Sequence, residues 1–165
     1  MLLSVAVCLL QSCEPKDYKS VGDPVTPITS LMGTWKINKV TQADENAKYL
    51  AFNNPSINVQ EQDITTVYPY SDLQITFNGN GLTPTTFTTV LGSSPAIVKL
   101  TNGNWTTDNP TVPTIITLTN GTITQQLTIS AYPTPASPVL KLIVQKKDAT
   151  TNKLLVSYTY EFIKK

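Results

Sequence analysis

Leu73-Gln74-Ile75-Thr76-Phe77-Asn78-Gly79-Asn80-Gly81 is the stretch whose reading decides the fold. Leu73, Ile75 and Phe77 alternate with Gln74, Thr76 and Asn78, the period of two that marks a strand with one buried face. The Asn-Gly-Asn-Gly that follows supplies the positive φ demanded by a tight hairpin turn, so the chain folds back on itself. The same grammar recurs downstream. Ile123, Leu127, Ile129 and Ala131 alternate with Thr122, Thr124, Gln126, Thr128 and Ser130. Leu140, Leu142 and Val144 alternate with Lys141 and Gln145, with Ile143 on the second face. Leu154, Val156, Tyr158, Tyr160 and Phe162 alternate with Leu155, Ser157, Thr159, Glu161 and Ile163.

Trp35–Thr41 and Thr114–Thr119 are strand-like by their β-branched content. Weaker strands are expected at Leu82–Leu91, where Pro84 signals an edge or bulge, and at Ala96–Thr101. Asn102-Gly103 and Asn120-Gly121 read as further hairpin turns, and Asp148–Asn152 as a longer hairpin loop. About eight strands joined in this way make an all-β antiparallel meander, closed as an up-and-down barrel or folded as a β-sandwich. In a barrel the first and last strands, near Trp35 and Tyr160, pair. Asp44–Phe52, with Ala47, Leu50 and Ala51 at helical spacing, is the one expected helix.

Composition narrows the chemistry. Charged residues make up 14% of the chain, against about 25% in ordinary soluble domains. Thr fills roughly one position in six; on a strand face turned to water it keeps the β-branched shape and offers a hydroxyl to solvent. There is no His and no Arg. The first absence removes imidazole bases, Ser-His-Asp and Cys-His catalysis and His-ligated metals; the second removes the bidentate fork for phosphate or carboxylate. A net charge of +1 leaves no electrostatic footprint for nucleic acid. The carboxylates Glu61 and Asp63, and Asp44 and Glu45, read as solvated charge, because glycosidase chemistry needs two carboxyls facing across a cleft. No cofactor and no metal site is expected.

Met1–Ser12 is a short apolar run ending in a small residue before Cys13. It is shorter than the ~20 residues of a transmembrane span and suits a signal-peptide core. Leu10-Gln11-Ser12-Cys13 resembles the lipobox of bacterial lipoproteins, in which the Cys sulfur carries a diacylglycerol. The resemblance implies that 1–12 is a signal peptide, that Cys13 is the lipid anchor, and that the protein is an outer-membrane lipoprotein of the cell envelope, periplasmic or surface-facing. The alternative is an ordinary secretory signal with an incidental Cys. Residues 13–29, polar and rich in Pro, read as a flexible tether. The domain is expected over 30–165.

Gly33-Thr34-Trp35 opens the first strand of that domain, preceded by Leu31 and Met32. It resembles the Gly-X-Trp signature of lipocalins, whose Trp packs across the closed end of an up-and-down barrel. The Asp72–Gly81 strand and turn, Gly103-Asn104-Trp105 and the Tyr-rich last strand are similar to small lipocalin-like lipoproteins of Bacteroidetes, over about Leu31 to Lys165. Lipocalins often stack an Arg from the last strand on that Trp; with no Arg here, the lock is missing or supplied by Lys. The resemblance implies a non-enzymatic protein that binds a small apolar or amphipathic molecule, with membrane contact through its lipid and a monomeric state.

Trp35 reads as a structural aromatic, and Trp105 as core or as a ligand-stacking residue. Tyr49, Phe52, Tyr68, Tyr70 and Tyr132 sit in loops or strand ends near Pro. They line a barrel mouth, or form a stacking platform for glycan or protein, or plug the barrel. Binding inside the barrel predicts an apolar cavity of at least about 300 Å³.

Overall fold

The computed structural model describes residues 27–47 and 61–165. A short helix, α1 (Pro27–Leu31), leads into β1 (Gly33–Asp44), and β2 (Glu61–Asp63) follows. A single 3₁₀ turn (Tyr70–Asp72) precedes β3 (Gln74–Asn80), β4 (Thr83–Val90) and β5 (Asn102–Thr107). β6 (Ile115–Asn120), β7 (Ile123–Ala131), β8 (Val139–Lys147) and β9 (Leu154–Lys164) complete the chain.

From β3 onward each strand pairs antiparallel with the next. β1 pairs with β9 from Trp35 opposite Lys164 to Asp44 opposite Val156, which closes an eight-stranded barrel and excludes the sandwich. The other edge of β1 carries β3 beside Gly33–Lys36 and the extra strand β2 beside Thr41–Ala43. Closure matters energetically because it leaves the barrel without a free edge.

Inward rows fill one core: Trp35, Phe77, Phe87, Trp105 and Phe162 are fully buried with Leu118, Leu127 and Leu140. Outward on β4, Thr85, Thr86 and Thr88 face solvent as the Thr reading expects; Thr89, on the inward row, is buried and its Oγ1 has no hydrogen-bond partner.

The two ends differ. At one, Ile28 and Leu31 of α1 join the core, and the Trp35 indole N–H donates to the Leu31 carbonyl at 2.7 Å. The Lys164 ammonium lies 5.4 Å from the centre of the Trp35 ring, so a last-strand Lys covers the first-strand Trp. This is the closed end. At the other, β1, β7, β8 and β9 run past the packed layer.

Several expectations change. Ala96–Thr101 is not a strand; it belongs to the β4–β5 connection, which buries Ile97, Val98 and Leu100. Asn102-Gly103 is not a turn but the start of β5, because Gly103 serves close approach: a Cβ there would sit 2.1 Å from the Thr119 carbonyl oxygen on β6. The true hairpin turns have Gly81 and Gly121 at positive φ between paired Asn80 and Thr83, and between Asn120 and Ile123. Ile123, expected on the buried row, is 59% exposed because it stands at a hairpin tip. Of the helix expected at Asp44–Phe52, Asp44 ends β1 and residues 45–47 are helical; the remainder lies outside the described residues. Pro84 faces Gly79 beside a register shift that puts an extra residue in β4, the irregularity its sequence announces.

Candidate functional site

Follow the inward rows from the closed end to the open one. On β8 they read Leu140, Leu142, Val144, Lys146; on β9, Phe162, Tyr160, Tyr158; on β7, Ile129, Leu127, Gln125. Each row starts apolar and turns polar or phenolic at the level of the cavity. These last positions, with Gln42 of β1, surround a cavity of about 720 Å³ at the open end. Two non-strand segments supply the remaining wall: Tyr68 and Tyr70 before β3, and Pro95–Ile97 with Lys99 between β4 and β5.

Four tyrosines form one cluster. Tyr68 meets Tyr70 edge-on at 5.9 Å, Tyr70 meets Tyr160 edge-on at 6.2 Å, and Tyr158 stacks on Tyr160 at 6.3 Å; edge-on and offset rings are the favourable arrangements of aromatic quadrupoles. Burial raises the hydroxyl pKa of Tyr160 well above the ordinary phenol range, and Tyr70 and Tyr158 beside it add to the rise. Burial raises Tyr70 as well. Both stay neutral donors at physiological pH. Tyr70 and Tyr160 are 3% and 5% exposed. Both residues line the cavity, where a phenol O–H can donate to a ligand oxygen.

Gln125 fixes the loop wall. Its amide nitrogen donates to the Ile97 carbonyl at 2.8 Å and its amide oxygen accepts from the Lys99 N–H at 2.7 Å. One side chain thus imitates a strand neighbour for a segment that forms no strand. Asp72 accepts from the Ser93 N–H at 3.1 Å and holds the start of the same loop. Lys146 lies 5.7 Å over the Tyr158 ring. Among the described residues the lining contains Lys99 and Lys146 and no carboxylate.

Two other hollows are less suited to a ligand. One of about 250 Å³ lies at the closed end between α1 and the Pro-rich β7–β8 loop. The other, about 420 Å³, is a groove on the outer face, crossed by the pairs Lys39–Asp63 at 3.8 Å and Lys141–Glu161 at 2.9 Å. The Asp63 carboxyl is held below the usual range by the Thr65 hydroxyl and amide, with Lys39 adding to the effect; it is a structural carboxylate. Among the described residues no group of three or more His, Cys, Asp or Glu could hold a metal.

A sequence profile described as Domain of unknown function (DUF5004) matches residues 11–162. The chain belongs to the DUF5004 family. No curated protein and no solved structure matches it. The matched region of this DUF5004 chain takes in the cavity and all of its lining residues.

Of the described aromatic residues singled out in the DUF5004 sequence, Tyr68 and Tyr70 line the cavity. Trp105 is not a cavity residue: it is 1% exposed, packs on Phe77 at 5.0 Å, and donates its indole N–H to the Asn78 carbonyl at 2.6 Å. Tyr132 follows β7 at the closed end, so it shares no surface with Tyr68 and Tyr70. Gly33 and Trp35 lie at the closed end. Tyr49, Phe52 and Cys13 lie outside the described residues. Sequence reading passed over Tyr158, Tyr160, Gln42, Gln125, Lys99 and Lys146. A signal for three of them was present: Gln125 and Lys146 are polar residues on otherwise apolar rows, and Tyr158 extends the row of Phe162.

Proposed function

We propose that this DUF5004 barrel is a non-enzymatic binding protein that takes a small amphipathic molecule into the cavity at its open end. The observation that carries the reading is the cavity itself, about 720 Å³, inside the 300–1,000 Å³ range of small-molecule sites. Its wall offers tyrosine faces and Ile97 and Val144 to an apolar body, and its tyrosine hydroxyls offer donors to a polar group. A chain without His or Arg and without a nucleophile motif supports binding rather than catalysis.

We place the protein in the cell envelope as an outer-membrane lipoprotein anchored through Cys13, a proposal supported by Leu10-Gln11-Ser12-Cys13. It acts as a monomer and binds no nucleic acid, consistent with a net charge of +1.

The neutral probe N-phenyl-1-naphthylamine tests the cavity. Its fluorescence is expected to rise on mixing with the protein and to stay low with Gln42→Trp, which fills the mouth; no rise with the wild type defeats the reading. Labelled palmitate tests the anchor: the wild type incorporates it and Cys13→Ala does not, whereas equal incorporation removes the anchor.

A further inference from the structure

We propose that the molecule held in the cavity is an organic anion: a flat apolar body against the tyrosines, with a carboxylate, sulfonate or phosphate facing Lys99 and Lys146. The proposal rests on the reading of this cavity as a binding site and names the chemical class of its occupant.

The first observation is the placement of Lys146. It stands on the inward row of β8 after Leu140, Leu142 and Val144, while the outward row carries Lys141 and Lys147. A Lys on the inward row of a barrel brings its charge to the mouth of the cavity, and Lys146 lines it. Its one described neighbour is the Tyr158 ring at 5.7 Å; a ring face attracts an ammonium and leaves its charge intact. Lys99 adds a second cation to the lining, on a loop whose backbone Gln125 holds in place.

The second observation is where the acidic groups are. Among the described residues the lining has no carboxylate. At the rim, Asp44 accepts from the Asn46 and Ala47 amides, and Glu45 accepts from the Ser157 hydroxyl on the outward row of β9. Glu161 pairs with Lys141 on the outer face. Asp72 is taken by the Ser93 amide. The described lining is therefore net cationic, with two phenol donors beside the charges. A neutral amphiphile would fill the volume and leave both charges unmatched.

Two probes that differ by one sulfonate separate this inference from the reading beneath it. 1-Anilinonaphthalene-8-sulfonate and N-phenyl-1-naphthylamine are titrated into the wild type, K99Q/K146Q, and the charge-matched control K36Q/K147Q, whose lysines lie outside the cavity. All four lysines are exposed, so folding is retained, and far-UV circular dichroism verifies it. An exposed cation contributes roughly two- to fivefold to the affinity of a paired anion. The ratio of sulfonate to neutral affinity is expected to fall about fivefold or more in K99Q/K146Q, to stay unchanged in the control, and to shrink with added salt in the wild type. If both probes bind and the ratio is the same in all three proteins, the anion proposal is overturned while the cavity reading stands. If neither probe binds the wild type, both fall.

Discussion

Replacing Gly103 with Ala tests why a residue pair that spells a turn sits inside a strand. Gly103 has φ +147°, and an added Cβ would lie 2.1 Å from the Thr119 carbonyl oxygen and 3.1 Å from the Phe87 ring. The methyl cannot be absorbed by a side-chain rotation, because the nearest atom is backbone of β6, paired next door through Asn104 and Thr119. β5 must retreat from β6 or Gly103 must change conformation. The unfavourable φ costs about 1–3 kcal/mol and overpacking about another 1–3 kcal/mol, giving ~2–6 kcal/mol in a fold whose whole stability is of order 5–15 kcal/mol. Gly81→Ala is the matched reference: φ is +59°, and nothing lies within 4 Å of the added Cβ, so only the left-handed conformation is penalised, by about 1–2 kcal/mol. Thermal and urea unfolding of both variants, followed by circular dichroism, measure the difference. A chain of this size loses about 2–4 °C in Tm per kcal/mol, so G103A should melt several degrees below G81A. Equal melting of the two variants would refute the close-approach account of Gly103.

Other expectations follow from single contacts. Gln125→Ala removes two hydrogen bonds to the loop wall; at ~0.5–1.5 kcal/mol each it should lose about 1–3 kcal/mol in urea unfolding, and hydrogen exchange at Lys99 should accelerate. Unchanged exchange at that amide counts against the clamp. Lys164→Ala is expected to destabilise by ~0.5–1 kcal/mol through the lost cation–π contact, and Lys164→Arg to retain wild-type stability; a neutral Ala variant would show that the ammonium over Trp35 adds nothing. Asp108 accepts from the Thr114 hydroxyl at 2.6 Å and from the Thr114 and Ile115 amides, which lower its pKa to about 2. The fold favours the ionised form, so its stabilisation is present above the ordinary carboxylate pKa of ~3.9 and is lost as pH falls through about 2. D108N should flatten the acid limb of the stability curve in that window, and parallel limbs for the two proteins would rule this out.

The strand pattern was legible because a barrel wall with one face buried writes its period directly into the chain. Leu73, Ile75 and Phe77 lie on the buried row their alternation predicts, and the last strand does the same through Tyr160 and Phe162. The Asn-Gly at 102–103 misled because the same residue pair serves two purposes, positive φ in a turn and absence of a Cβ at a close crossing. Only the position of Thr119 on the neighbouring strand distinguishes them. The expected strand at Ala96–Thr101 failed for a related reason: its apolar residues are buried, yet they are buried as a loop wall held by a side-chain amide 26 residues away.

The candidate site was half visible. Aromatics near prolines drew attention to Tyr68 and Tyr70, but proximity in sequence to a turn says nothing about which end of a barrel a residue occupies, and Tyr132 lies at the wrong one. Tyr158 and Tyr160 were read as strand residues only, since depth along an inward row does not register in a period of two.

By itself the amino-acid sequence determined an all-β chain, an antiparallel order of strands, a water-facing surface of threonines and an inventory with no imidazole and no guanidinium. These follow from local rules of alternation, turn chemistry and composition. Tertiary structure decided that β1 meets β9, that Lys164 covers Trp35, and that the inward rows turn from apolar to phenolic and cationic at one end. Each of these depends on strand register and closure, which bring together residues more than a hundred positions apart. That separation is why a cavity bearing four tyrosines and two lysines exists only in the folded barrel.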